Sequence, residues 1–256
     1  KEALRQLGDK NTYMELSKTE AEGYIGKIHK HKIIVPNALE KHNNCITKAE
    51  GSGVRNQQVS LPATYFLPKI HKEKREDTGA FAARPIIAAV GSPFKALDQY
   101  LAKLAACLLP CIPGSLIDTA ALLRDLATVP NLPPVAKLFS VDVISLYPSI
   151  DWVEAVEDST SFYMEHFDVV KEFCEKNDML PPPPHQIFRY ILQMLLQNNV
   201  FLFQNEKYFR KLKGRAMGCS MSVFMANAFM YRKTRHLIEN PPAELLYFGR
   251  YIDDIE

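Results

Sequence analysis

No stretch of this 256-residue sequence approaches the roughly 20 apolar residues that a membrane helix requires. The most apolar region, residues 101–112, is interrupted by Lys103 and Pro110 and reads as a buried helix, so no membrane partner is expected. The N-terminal Lys1-Glu2-Ala3-Leu4-Arg5 has no signal-peptide pattern. Cysteine is scarce: five residues, odd in number and scattered, with no Cys-x-x-Cys. A zinc site or a disulfide framework is therefore not indicated, and buried thiols in a reducing compartment are expected. The seven histidines form no H-E-x-x-H. Excess charge of one sign is lacking too, since the net charge of +2 excludes a purely electrostatic coat on nucleic acid. Internal repeats and low-complexity tracts are absent.

What is present is material for a core. The 47% hydrophobic content argues against disorder, and the length suits two lobes sharing one folding unit. Residues 1–60 read as a polar, partly helical extension that ends in a loop at 50–53. Residues 64–70 and 82–90 read as a hairpin with a charged tip at 71–77. Ser92 and Pro93 open a helix over 94–109 with Leu97, Leu101, Leu104 and Leu108 on one face. Ser115 is placed to cap a helix to 127. A strand over 136–143 follows a proline-rich connector, Asp151 caps a helix towards 166, and a further helix spans 185–198. Strands at 200–203 and 207–211 make a hairpin, 214–218 is a loop, 220–238 a long helix and 245–251 a strand. This order predicts an α+β protein with a mainly antiparallel sheet and packed helices.

Three clusters interleave basic and apolar residues: 27–32 (K-I-H-K-H-K), 69–75 (K-I-H-K-E-K-R) and 207–215 (K-Y-F-R-K-L-K-G-R). Singly each reads as a solvated face; around a carboxylate site they suit a phosphate backbone. Such a site is suggested by Tyr251-Ile252-Asp253-Asp254 and, far upstream, Asp142 at the end of an apolar run. Adjacent carboxylates raise each other's pKa unless a cation neutralises them, and an acid ending an apolar strand is costly unless paired. Alone, an Asp-Asp pair is most often a solvated turn. The glycine loop Gly214-Arg215-Ala216-Met217-Gly218, running into Ser222 and Ala226-Asn227, permits close approach of a flat ligand, though taken alone helix packing or a plain hairpin exit explains it better.

Taken in order, D-V-I-S-L-Y from Asp142, G-R-A-M-G-C-S-M-S with A-N, and Y-I-D-D resemble the palm motifs of reverse transcriptases. Upstream, L-P-K-I-H-K from Leu67, R-P-I-I from Arg84 and G-S-P from Gly91 resemble the fingers of Penelope-like retroelement reverse transcriptases, and Met217 also matches that family. The resemblance covers about residues 60–256. It implies a right-hand polymerase, with an extension over 1–60, fingers over 61–135 and an incomplete palm over 136–256. It further implies a nuclear protein whose full-length form carries a thumb and a GIY-YIG-type endonuclease.

The activity so implied is RNA-directed DNA synthesis on an RNA template from a DNA primer, by two-metal transfer of deoxynucleoside triphosphates. Asp142 and Asp253 would bind two Mg2+ ions (Mn2+ as substitute) with the Val143 carbonyl, and Asp254 would support them. Lys69 and Arg84 would contact the triphosphate, as would the backbone N–H groups of Ser145 and Leu146. Tyr147 would be the sugar gate that excludes a ribose hydroxyl. Met217 and Gly218 would line the templating pair, and Lys72, Lys211 and Lys213 would track the nucleic-acid backbone. Three alternatives stand beside this. A viral RNA polymerase would want an aspartate near position 147. A family-B DNA polymerase shares S-L-Y-P-S-I but lacks its later motifs here. A catalytically inactive nucleic-acid-binding domain of the same ancestry is the third.

Overall fold

A computed structural model describes residues 1–70, 72–77, 79–88, 92–129, 133–214 and 219–255. The chain opens with α1 (Glu2–Leu7), β1 (Tyr13–Leu16), α2 (Lys18–Asn37), a π-helical turn (Ala38–His42) and α3 (Lys48–Asn56). Two reciprocal caps start these helices: the Ser17 hydroxyl accepts from the Glu20 N–H while Glu20 returns a bond, and Thr47 and Glu50 repeat the pattern. The second cap explains why 50–53, expected as a loop, is helical despite Gly51 and Gly53. Gly51 leaves room for Glu40 and Arg55, which pair at 2.8 Å.

Next come β2 (Ala63–Pro68), β3 (Ala83–Ile87), α4 (Lys95–Ala106), a short 3-10 turn (Leu109–Cys111) and α5 (Thr119–Thr128). Leu97, Leu101, Leu104 and Leu108 are all buried, as their spacing predicts. The cap of α5 is Asp118, not Ser115: its carboxylate accepts from the Ala121 N–H at 2.7 Å, and Ser115 is occupied in a bridge to Arg250. The remaining elements are β4 (Val141–Asp142), α6 (Leu146–Ser149), α7 (Trp152–Glu165), α8 (Phe167–Lys176), α9 (His185–Gln197), β5 (Val200–Phe203), β6 (Lys207–Lys211), α10 (Ser222–Glu239), β7 (Arg250–Tyr251) and β8 (Asp254–Ile255). Asp151 caps α7 through the N–H groups of Val153 and Glu154.

Two sheets result. Five strands run in the order β1-β6-β5-β2-β3, antiparallel except where β2 meets β5, and three run β4-β8-β7, all antiparallel. The fold is thus mixed helix and sheet with mostly antiparallel pairing. The larger sheet takes strands from all three sequence segments, so residues 1–60 supply its edge strand as well as helices. The principal core lies among the helices, with Tyr163 stacked on Phe188 at 4.0 Å, and Phe201, Phe209 and Tyr13 form a second cluster on the larger sheet.

The strands expected over 136–143 and 245–251 are shorter than their apolar character suggests. Residues 136–140 and 245–249 are not in strands, and the ladders cover only Val141–Asp142 and Arg250–Tyr251. Both pair with the two residues of β8, so neither finds further partners there. Val135, Leu138, Phe139 and Ile144 are consequently exposed.

Candidate functional site

The smaller sheet brings the distant acids together. Asp142 on β4 stands opposite Asp254 on β8, and the Val143 N–H donates to the Asp253 carbonyl at 3.0 Å. That bond makes Val143 and Asp253 the hydrogen-bonded pair and leaves Asp142 and Asp254 in the closer, non-bonded position, where Cα atoms sit about 4.5 Å apart. Like charges directly opposite each other destabilise a ladder. Asp142 and Asp254 are exposed and Asp253 half-buried, so water screens part of that repulsion, and the cost expected for an acid buried in an apolar strand does not arise at Asp142.

Ile252 and Asp253 make the turn between β7 and β8, with Ile252 at φ +57°. A β-branched residue rarely adopts that conformation and pays for it in steric strain. Tyr147, half-buried on α6, faces this turn: burial pushes its phenol pKa up, and the charges of Asp253 and then Tyr251 push it further. Ser145 enters α6 in a left-handed conformation (φ +56°), and Leu146 is buried beneath it.

Gly214 presses against the same element. Its N–H donates to the Ile150 carbonyl at 2.8 Å, and its φ is +66°. A Cβ there would fall on the Tyr147 carbonyl oxygen and within 2.8 Å of Pro148, so only glycine fits. The loop that follows holds Met217 and Gly218, which lie outside the described residues.

On the larger sheet, Leu67 pairs with Arg84, and the Lys69 N–H donates to the Ala82 carbonyl at 2.7 Å. Alternation therefore places Lys69 and Arg84 on one face of the hairpin. Arg84 and Lys72 are exposed and Lys69 half-buried. Lys213 is exposed near Asp9, whose pKa it helps to lower after the hydrogen bonds from Thr12 and Asn11. Lys211 differs from the surface position expected of it. It shares the inward face of β6 with Phe209, is 5% exposed, and holds its ammonium 5.2 Å from the Tyr13 ring centroid. Burial pulls its pKa down to about 8. Lys32, from the first basic cluster, is also buried and donates to the Gln57 carbonyl.

Two residues at the site carry no motif-level signal of their role. Asp98, on α4, accepts from the Ser220 N–H at 2.5 Å and the Met221 N–H at 3.4 Å, capping the start of α10 from another helix. Its sign in the sequence is an acid set inside the apolar stripe of Leu97, Leu101 and Ala105. Arg250 is 1% exposed and bonds to Asn227 and to the acidic turn.

The donor set at the turn is all oxygen, which suits a hard divalent cation. Among the described residues, however, no three His, Cys, Asp or Glu side chains are gathered closely enough to hold a metal ion by themselves. A magnesium ion is commonly bound through one or two carboxylates, with substrate phosphates and water completing its shell, and Asp142 opposite Asp254 meets that smaller requirement. Also among the described residues, no helix is long and apolar enough to cross a membrane.

No protein-family model matches the sequence, and no curated protein is found similar to it. Solved structures do resemble it. Telomerase from Candida albicans, in complex with a TWJ fragment of telomeric RNA, aligns with a TM-score of 0.55 and 10% identity over 99% of this chain and 41% of that one. Apo telomerase from Candida tropicalis, truncated from its C-terminal domain, aligns with a TM-score of 0.53 and 12% identity over 78% of this chain and 44% of that one. The chain is thus similar in fold to telomerase, a reverse-transcriptase-related polymerase, and spans less than half the length of either chain.

Proposed function

We propose that the chain is the fingers and palm portion of an RNA-directed DNA polymerase of the Penelope-like type, acting on an RNA template and a DNA primer. One observation carries the reading: Asp142 on β4 faces Asp254 on β8, and the turn that leads into β8 from β7 holds Asp253, in a chain with a telomerase-like fold. Without a cation this juxtaposition is unfavourable, and with one it becomes an asset. In this reading residues 61–135 are the fingers, 136–256 the palm, and 1–60 an extension whose β1 edges the larger sheet.

Asp142, Asp253 and the Val143 carbonyl would hold Mg2+ or Mn2+, with Asp254 in support. The metal would supply charge neutralisation at the transferring phosphate and an acidified primer hydroxyl. The chain's own groups do the rest. Lys69 and Arg84, on one face of the hairpin, would draw the triphosphate, Arg84 through its planar fork. Tyr147, next to Asp253, would pack under the deoxyribose and exclude a 2′-hydroxyl. Lys72 and Lys213 are the exposed lysines placed to follow a phosphate backbone. Nuclear residence and attachment to a thumb and GIY-YIG-type endonuclease belong to the same proposal.

In the full-length protein, Asp253→Asn should lower magnesium-dependent extension of a DNA primer on RNA by at least about 10²-fold, the scale of losing one group that stabilises transition-state charge. Template binding, read by fluorescence anisotropy, should stay near wild type. Equal loss of both would make Asp253 a structural residue. A second reading, a nucleic-acid-binding domain without catalysis, is favoured by the absence of a three-carboxylate group among the described residues. It predicts template binding with no extension at any Mg2+ or Mn2+ concentration, even by a full-length protein that carries the thumb.

A further inference from the structure

Arg250 is the largest fully buried side chain of the described residues, yet no carboxylate among them pairs with it. Burial pulls its pKa down to about 10, and no acid among the described residues offsets the cost. A buried guanidinium persists only where its donors are satisfied. Its Nη1 donates to the Asn227 Oδ1 at 2.9 Å and to the Ile252 carbonyl at 2.9 Å, and its Nη2 to the Asn227 carbonyl at 3.4 Å. Asn227 is itself oriented, because its amide donates to the Val223 carbonyl at 3.0 Å and so turns its oxygen to the arginine. The Arg250 backbone is fixed as well: its N–H donates to the Gly114 carbonyl at 2.8 Å, and its carbonyl accepts from the Leu116 N–H at 2.7 Å.

The residue so fixed holds the carbonyl of Ile252, the strained position immediately before Asp253. Strain of this kind lasts only where the surroundings over-determine it. A leucine or methionine at 250 would fill the same space with less desolvation cost but could not hold that carbonyl. We infer that Arg250 is a positioning residue: locked between α10 and the 114–116 segment, it imposes the left-handed conformation of Ile252 and thereby sets where Asp253 and Asp254 stand relative to Asp142. Asn227 is its aligning partner. The inference deepens the polymerase reading, and its geometric part can be tested without polymerase activity.

The test is amide hydrogen exchange, resolved by residue, on Arg250→Lys, which keeps the charge and loses the fork. The Val143 N–H, bonded to the Asp253 carbonyl, reports the register of the two acids. Exchange at Val143 should quicken about tenfold or more, while the α9 amides of Phe188 and Leu192 keep wild-type rates. Unchanged Val143 exchange in the folded variant would overturn the inference and leave Arg250 a core-packing residue. If Arg250→Lys fails to fold, Asn227→Ala decides the matter by the same readout, since it removes the aligning oxygen and leaves the arginine. Where extension is measurable, Arg250→Lys should lower kcat more than it raises nucleotide KM, because Lys69 and Arg84, the side chains that would draw the triphosphate, lie on another sheet; a rise in KM alone would also overturn it. Altered Val143 exchange beside a full-length, thumb-bearing protein that never extends a primer would uphold Arg250 as the turn's positioning residue and sink the polymerase reading instead.

Discussion

Asp158, on α7, is 7% exposed; its Oδ1 accepts from Arg232 at 3.3 Å while its Oδ2 is buried without a partner. Burial raises its pKa to about 6, with the nearby Arg232 and Lys233 offsetting only part of the cost. The folded chain therefore binds more protons than the unfolded one between about pH 4 and pH 6. By linkage the contribution of this group is fully present below the unfolded value and lost as pH rises through the folded value. Wild type should lose on the order of 2 kcal/mol from this residue between pH 4 and pH 7. In urea unfolding series at both pH values, Asp158→Asn should flatten the profile by that amount. Matching profiles for the two proteins would mean that Asp158 is solvated.

At the level of elements, α10 begins without a side-chain cap of its own, since Met221 occupies the cap position. The missing acceptor comes from α4, where both oxygens of Asp98 meet the Ser220 and Met221 N–H groups. A carboxylate there also suits the positive end of the α10 dipole. Asp98→Ala should cost about 1–2 kcal/mol in thermal or chemical denaturation, the value of a lost cap. Asp98→Asn, which keeps one acceptor, should cost less. Because α10 carries Asn227, loosening its first turn should also weaken the hold of Arg250 on the acidic turn. An Asp98→Ala protein as stable as wild type would leave the cap without energetic weight.

Across the whole molecule, the larger sheet joins β1, β2–β3 and β5–β6, drawn from chain segments as distant as residues 13 and 211, and Tyr13 pairs with Lys211 in register. Such a sheet resists division into independently unfolding parts. Trp152, the single tryptophan, opens α7 within the helical core, whereas far-UV circular dichroism reports all elements. The two signals should change together through one urea transition. Separate midpoints would mean that the sheet and the helical layer fold as distinct units.

Local chemistry determined much of this from the sequence: Asp151 at the head of α7, the leucine face of α4, and the β5–β6 hairpin all follow from capping, a period of 3.6 and a period of 2. The ordered motifs likewise singled out Asp142, Asp253 and Asp254, because acids in apolar surroundings are conspicuous residue by residue. Strand length was not determined in this way, since apolar residues at 136–140 become a ladder only where another strand lies beside them. The direction of Lys211 depended on which face of the larger sheet the rest of the chain would cover, the face where Leu7 of α1 packs with Tyr13, Phe201 and Phe209. Asp98 and Arg250 acquire their roles only when α4 meets α10 and α10 meets the turn. Their side-chain hydrogen-bond partners lie as far as 123 and 23 residues away, beyond the reach of any local pattern, and only tertiary packing brings donor and acceptor within bonding distance.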